Sequence, residues 1–195
     1  MATATALKVP HLQPSHWIEA GIARLASDGI ESVRIELLAR DLRVSKGSFY
    51  WHFRDREDLL GRILARWEEG ERDRLQPSGH AAELRWAWFV EQNSTQERVR
   101  MELAVRAWAR KDEKVAACVA TADKERTRFI ADVLQAIGFA NTASESWAEV
   151  ILLVWIGWLD QAAQTANSEL MRPRLGDLVS RVILAASGNP APSIS

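Results

Sequence analysis

Between Ser32 and Phe53 two short helical patterns follow one another with only Arg43 and Val44 between them, and this spacing restricts the possible fold more than any other feature of the chain. The first pattern runs roughly from Arg34 to Leu42 and buries Leu37, Leu38 and Leu42. Ser45 is placed to cap the second, which spans about two turns and ends near His52. Two short helices joined by a tight turn form the geometry that pushes the second helix into a DNA major groove.

The rest of the chain carries the same helical punctuation, and runs of alternating β-branched residues are missing, so the sequence predicts an all-α protein. Ser15 is a candidate N-cap for a first helix with Ile18, Ile22 and Leu25 on one face and Gly29 as its stop. Asp55 with Asp58 opens a fourth helix whose Leu59, Leu60, Ile63, Leu64 and Trp67 make an apolar stripe. Residues Gln76-Pro77-Ser78-Gly79 form the clearest break. The expected organisation is a flexible arm over 1–14, a helix-turn-helix unit over 15–70, a larger helical unit over 78–186 and a flexible tail over 187–195. Later helices are expected at roughly 80–93, 95–110, 112–138, 143–166 and 172–186, with Thr142 and Glu145 as a capping box.

The third helix sorts its residues by face. Phe49 and Phe53, four apart, share one side and anchor the helix to the core, with Val44 and Ala39 giving it a close seat. Lys46, Gly47, Ser48, Tyr50, Trp51 and His52 are left on the other surfaces. A structural helix rarely exposes Tyr, Trp and His together without a partner. Tyr hydroxyl and Trp N–H groups donate to phosphates, a lysine reaches a phosphate or a guanine edge, and a glycine at the helix start lets backbone approach closely. Charge agrees locally: the chain is at −1 overall, yet Arg34, Arg40, Arg43, Lys46, Arg54 and Arg56 face only Glu36, Asp41 and Asp55 in the same span. Arg56, in the first turn of the fourth helix, is a candidate flanking phosphate contact. Glu36 near the groove would either repel phosphate or accept from a cytosine amine.

The run Val44-Ser45-Lys46-Gly47-Ser48-Phe49-Tyr50-Trp51-His52-Phe53, followed by Arg54-Asp55-Arg56-Glu57-Asp58-Leu59-Leu60, strongly resembles the signature of the TetR family of transcriptional regulators. The resemblance covers roughly residues 15–70. Arg43 stands where that family usually has a turn glycine, and Arg34 where a small hydroxyl residue often opens the second helix. The expected DNA-binding set is therefore Arg34, Arg43, Ser45, Lys46, Gly47, Ser48, Tyr50, Trp51, His52 and Arg56. The partner is a double-stranded DNA operator, expected to be palindromic.

The larger half holds six of the nine tryptophans. Aromatics at helical spacing are most often core, but large flat side chains between helices also line ligand cavities. The resemblance implies a small-molecule ligand there, unidentified and expected to be apolar or aromatic, with Trp86, Phe89, Trp108, Phe129 and Trp155 as candidate lining residues. It also implies a homodimer through the last two helices, where Val150–Leu159 is apolar on nearly all sides and Leu175, Leu178, Val179, Val182 and Ile183 form a stripe. Release of a repressor by the ligand is the expected mode, and a ligand-independent or architectural DNA-binding protein is the alternative.

Other classes find little support. None of the familiar hydrolase, nucleotide-binding or zinc-protease motifs is present, so no catalytic residue, metal or cofactor is expected. One cysteine, Cys118, excludes an internal disulfide, and its apolar surroundings predict a buried, inert thiol. The absence of a signal-like N-terminus and of a membrane-length apolar run predicts a cytoplasmic protein with no membrane partner.

Overall fold

The computed structural model describes residues 12–76 and 81–164, and these are all-α. Eight α-helices are formed among the described residues: α1 (Pro14–Asp28), α2 (Ile35–Asp41), α3 (Lys46–Tyr50), α4 (Arg56–Arg74), α5 (Ala82–Asn93), α6 (Gln96–Ala109), α7 (Glu113–Ala136) and α8 (Asn141–Gln164), with a 3₁₀ turn at Ile30–Ser32. The chain divides into two compact units, 1–66 and 67–195, and the division falls inside α4. The expected arm lies almost wholly outside the described residues, as do the expected helix at 172–186 and the tail.

The first unit is built around α1 and the start of α4. α1 begins at Pro14 rather than after a Ser15 cap, because proline's fixed φ suits the first helical position. Gln13 takes the cap instead, its N–H donating to His16 Nδ1 at 2.9 Å. Trp17, Gly21 and Leu25 form the buried side of α1, so its inward face is rotated from the expected Ile18–Ile22–Leu25 line. α1 and α4 lie so close that a Cβ on Gly21 would sit 2.5 Å from Ile63 Cδ1. Trp17, missed in the sequence, presents its ring edge-on to Phe49 at 5.2 Å.

α4 opens on Asp55, whose Oδ1 accepts from the Asp58 N–H at 2.8 Å, while Asp58 Oδ2 accepts from the Arg54 N–H at 3.1 Å. All five residues of its apolar stripe are buried.

In the second unit α5–α8 surround a core that includes Phe89, Val99, Phe129, Ile130, Leu134, Ile151, Trp155 and Leu159. Thr95 and Asp112 cap α6 and α7 through their side chains. α8 starts at Asn141, two residues before the expected position. Thr142 therefore lies within the first turn, and Gln135 Nε2 ties the helix start by donating to Asn141 Oδ1 at 2.7 Å and Ser144 Oγ at 3.1 Å. Among the described residues no helix is long and apolar enough to cross a membrane.

Candidate nucleic-acid interface and the buried charges of the second unit

The turn between α2 and α3 carries an arginine where only glycine is unstrained. Arg43 sits at φ 55, in the left-handed region. Its N–H donates to Arg40 O at 3.1 Å and the next N–H, of Val44, to Ala39 O at 2.9 Å. That pair of bonds is a Schellman helix end, with Arg43 as the left-handed residue and Val44 half-buried beside buried Ala39. Substitution of the family glycine thus leaves the turn intact while adding an exposed guanidinium.

α3 is held from behind by aromatic packing. Phe49 is fully buried, stacked on Phe53 at 5.1 Å and met edge-on by Trp17. Arg62 lies over the outer face of Phe53, 4.9 Å from its centroid. With Phe49 fixed, the residues on either side of it point away from the core. Tyr50 is 61 % exposed and Trp51 87 %, and the Tyr50 ring is held edge-on against Phe49 at 5.4 Å. Ser45, Lys46 and Gly47 are exposed, whereas Ser48 and His52 are half-buried. Ser45 occupies the N-cap position with extended backbone, but its side chain makes no capping bond; its carbonyl accepts from Ser48 N–H at 3.1 Å. A Cβ at Gly47 would meet only Ser45 Oγ, at 3.6 Å, so nothing inside the first unit requires glycine there.

Three ion pairs and hydrogen-bond sets redistribute the charge counted in the sequence. Lys46 Nζ donates to Glu36 Oε1 at 2.8 Å, and this bond holds the Glu36 carboxyl below the usual carboxylate range. Arg24 from α1 grips Asp41 with bonds of 2.5 and 3.0 Å, which likewise lowers the Asp41 carboxyl. Arg56 turns inward: its Nε donates to Val33 O at 2.6 Å, its Nη2 to Ile30 O at 2.8 Å, and its Nη1 reaches Glu57 at 3.2 Å. The guanidinium expected at a flanking phosphate is occupied with the backbone ahead of α2. Arg34, at the N-cap of α2, is exposed, as are Arg40, Arg43 and Arg54.

In the second unit, three of the five expected ligand-lining aromatics meet directly. Trp86 stacks on Phe89 at 5.6 Å, and Phe89 on Phe129 at 5.4 Å. Trp155 belongs to the same buried cluster, and Trp108 is buried apart from it. A separate groove of about 670 Å³ runs along α7 and the start of α8, lined by charged and amide side chains such as Lys124, Arg128, Gln135 and Glu149 and by none of the five.

Sequence reasoning overlooked an ion cluster beneath these aromatics. Arg126, 1 % exposed, reaches Glu71, Glu102 and Asp123. Glu102, fully buried, also accepts from Arg98 Nη2 at 2.6 Å and from Arg106 Nε at 2.8 Å. Arg106 closes the set on Asp123 at 2.5 and 2.9 Å, and Arg74 and Arg98 both touch Glu71. Burial opposes the charge on Arg126, but Glu102 and Glu71 outweigh it and raise its pKa. At Arg98 burial wins over Glu102 and Glu71, pushing the guanidinium down to about 10. Burial likewise opposes ionisation of Glu102, yet Arg126, Arg98 and Arg106 together hold its carboxyl well below the usual range. Cys118 is half-buried, and its thiol is pushed up to about 11 by burial and by the neighbouring Glu68 carboxylate. A thiol so disfavoured as thiolate is a poor redox sensor.

A short, aromatic-anchored helix presenting lysine, tyrosine and tryptophan, set after a second short helix and a tight turn, is a helix-turn-helix arrangement, and an all-helical second unit follows it. Residues 18–63 match the family model described as bacterial regulatory proteins, tetR family. It is this N-terminal stretch, and not the whole chain, that is similar to the family. Solved structures show the same fold across both units. A transcriptional regulator from Rhodococcus sp. Rha1 is 19% identical with a TM-score of 0.72, over 93% of this chain and 100% of that one. A TetR-family transcriptional regulator from Streptomyces coelicolor is 16% identical with a TM-score of 0.73, over 89% and 95%. A Saccharomonospora viridis protein solved in complex with choline is 20% identical with a TM-score of 0.74, over 86% and 95%. No curated protein sequence matches the chain.

Proposed function

We infer that this chain is a ligand-responsive repressor that binds a palindromic operator as a homodimer through α3. The observation that carries the DNA-reading assignment is the split at Phe49, which is buried completely while its neighbours Tyr50 and Trp51 stand in solvent. Bound to DNA, Tyr50 and Trp51 donate to phosphates, Lys46 exchanges Glu36 for a phosphate or a guanine edge, and Gly47 lets the backbone approach. Arg34 and Arg43 flank this surface at either end of α2; Ser45, Ser48 and His52 complete it. Arg56 supports it by holding the 3₁₀ turn in place.

The homodimer reading is supported by α8, where Val150 and Leu153 are exposed large apolar residues and Gly157 offers open space for close helix approach. Two copies related by a two-fold axis read half-sites about one helical turn, roughly 34–36 Å, or a multiple apart. Ligand response requires that the small molecule bind the DNA-incompetent arrangement more tightly than the competent one. Trp86, Phe89, Phe129 and Trp155, with Trp108 nearby in sequence to the buried charges, supply the apolar body of that site.

The test is binding to DNA fragments that the protein itself selects from a random-sequence library. Tyr50→Ala is expected to lower affinity about tenfold or more at fixed salt, the scale of one or two lost contacts, with an unchanged melting temperature. Unchanged affinity would overturn the assignment of α3 as the reading helix.

A further inference from the structure

The ion cluster of the second unit has more donors than its acceptors can serve. Four guanidiniums (Arg74, Arg98, Arg106 and Arg126) share three carboxylates, those of Glu71, Glu102 and Asp123. Both oxygens of Glu71 and of Glu102 are already engaged. Yet Arg98 Nε and Nη1, Arg126 Nε, Trp67 Nε1 and Trp155 Nε1 are buried without a hydrogen-bond partner. Every orphan polar atom in this neighbourhood is an N–H donor. Buried donors left unpaired cost about 1–3 kcal/mol each, more when charged, so such a group points to an acceptor that the chain itself does not provide.

We propose that this cluster is the polar end of the effector site and takes a small organic carboxylate, its oxygens accepting from Arg98 and Arg126 and its apolar body lying against the Phe89–Phe129–Trp155 core. The geometry favours an anion in two ways and sets an apolar surface beside it. The cluster as a whole has one more guanidinium than carboxylates, and a bidentate carboxylate on a guanidinium is the strongest available pairing. Arg126 and Phe129 are three apart on α7 and both buried, so polar and apolar ends of one ligand meet on one helix face. A quaternary ammonium is disfavoured, because the Trp155 ring already carries the Arg126 guanidinium at 4.8 Å and that of Arg106 at 5.8 Å. The inference deepens the ligand-responsive reading and rests on it.

Benzoate, benzamide and choline separate the possibilities at constant ionic strength. Benzoate is expected to raise the melting temperature of the full chain saturably, while its neutral isostere benzamide and the cation choline do not. Arg98→Gln is expected to raise the half-saturating benzoate concentration about tenfold or more, the scale of one charged hydrogen bond. Should that variant fail to fold, wild-type crystals soaked in 4-bromobenzoate locate the molecule by the bromine's anomalous signal. A carboxylate on Arg98 supports the site, and one elsewhere overturns it. No benzoate response, or an equal benzamide response, also overturns it. Benzoate binding that leaves affinity for the selected DNA unchanged would sink the effector reading and spare the anion site. DNA release by a neutral compound with no benzoate response would do the reverse.

Discussion

Arg43 offers the sharpest separation of folding from DNA recognition, because its backbone and its side chain are under different demands. At φ 55 an L-residue with a Cβ pays about 1–2 kcal/mol relative to right-handed helix, and glycine pays none of it. Glycine gives back about 0.4–1 kcal/mol through the greater freedom of the unfolded chain. Arg43→Gly should therefore stabilise the first unit by about 0.5–1 kcal/mol, whereas Arg43→Ala, which keeps the Cβ, should leave stability near that of the parent. The readout is hydrogen exchange of the Arg43 and Val44 amides, which close the turn on Arg40 and Ala39, together with urea unfolding of the full chain. Both variants lose the same charge. If Arg43 touches a phosphate, both should reduce the slope of log affinity against log salt by about 0.9 per subunit, about 1.8 for the proposed dimer, and by equal amounts. Equal stability of the glycine and alanine variants would refute the left-handed turn. Parental salt dependence in both would remove Arg43 from the DNA interface and leave the turn standing.

Gly47→Ala should fold as the parent does, since the new methyl meets only Ser45 Oγ at 3.6 Å, yet lose DNA affinity about tenfold if backbone approaches the duplex there; retained affinity in a mobility-shift assay would refute the close approach. Glu36→Gln releases Lys46 from its 2.8 Å partner and should strengthen binding to the selected DNA at low salt, an effect that disappears if Lys46 does not face the nucleic acid. Arg126→Met strips the buried carboxylates of their main partner and should cost about 3–5 kcal/mol by denaturant titration. Because the folded Glu102 carboxyl lies below its unfolded value of 4.5, its stabilisation is complete above that pH and is lost as pH falls further; melting temperatures from pH 5 downward should show this limb, and Glu102→Gln should flatten it. Cys118, with its thiol pushed up to about 11, should react with iodoacetamide at pH 8 far more slowly than a free thiol, and Glu68→Gln should quicken it.

The helix pattern and the face of α3 were legible because both depend on local spacing. Phe49 and Phe53 four apart fix which side of a short helix is buried, and the outward set follows by elimination. What the sequence could not reveal depends on crossings between helices. The Lys46–Glu36 pair spans ten residues and exists only because α2 and α3 cross. Arg56 read as one more positive charge near DNA, since nothing in a sequence marks the carbonyls of Val33 and Ile30 as its acceptors. The spacing Arg98-x₃-Glu102-x₃-Arg106 is that of a solvated helix face stabilised by i,i+4 pairs. It is buried here because Glu71 and Arg126, on other helices, complete the pairing from across the core.

These internal commitments also change what the basic strip of the first unit means. Its surplus of cations is real as a count, but Arg56 serves the backbone and Lys46 is shared with Glu36. The Asp41 charge, in turn, is taken up by Arg24 from outside the strip. On the proposed DNA-reading role, the positive potential of this surface rests on the exposed arginines at its edges, Arg34, Arg43 and Arg54, rather than on α3 itself. α3 is left to contribute mainly neutral donors, Tyr50 and Trp51, and one lysine that must be won from a carboxylate. In the proposed complex, phosphate contacts from the edge arginines and from Tyr50 and Trp51 would set register and affinity, and Lys46 is the group placed to read a base edge. A surface so divided should lose affinity across all sequences when an edge arginine is removed, and lose preference among sequences when Lys46 is changed.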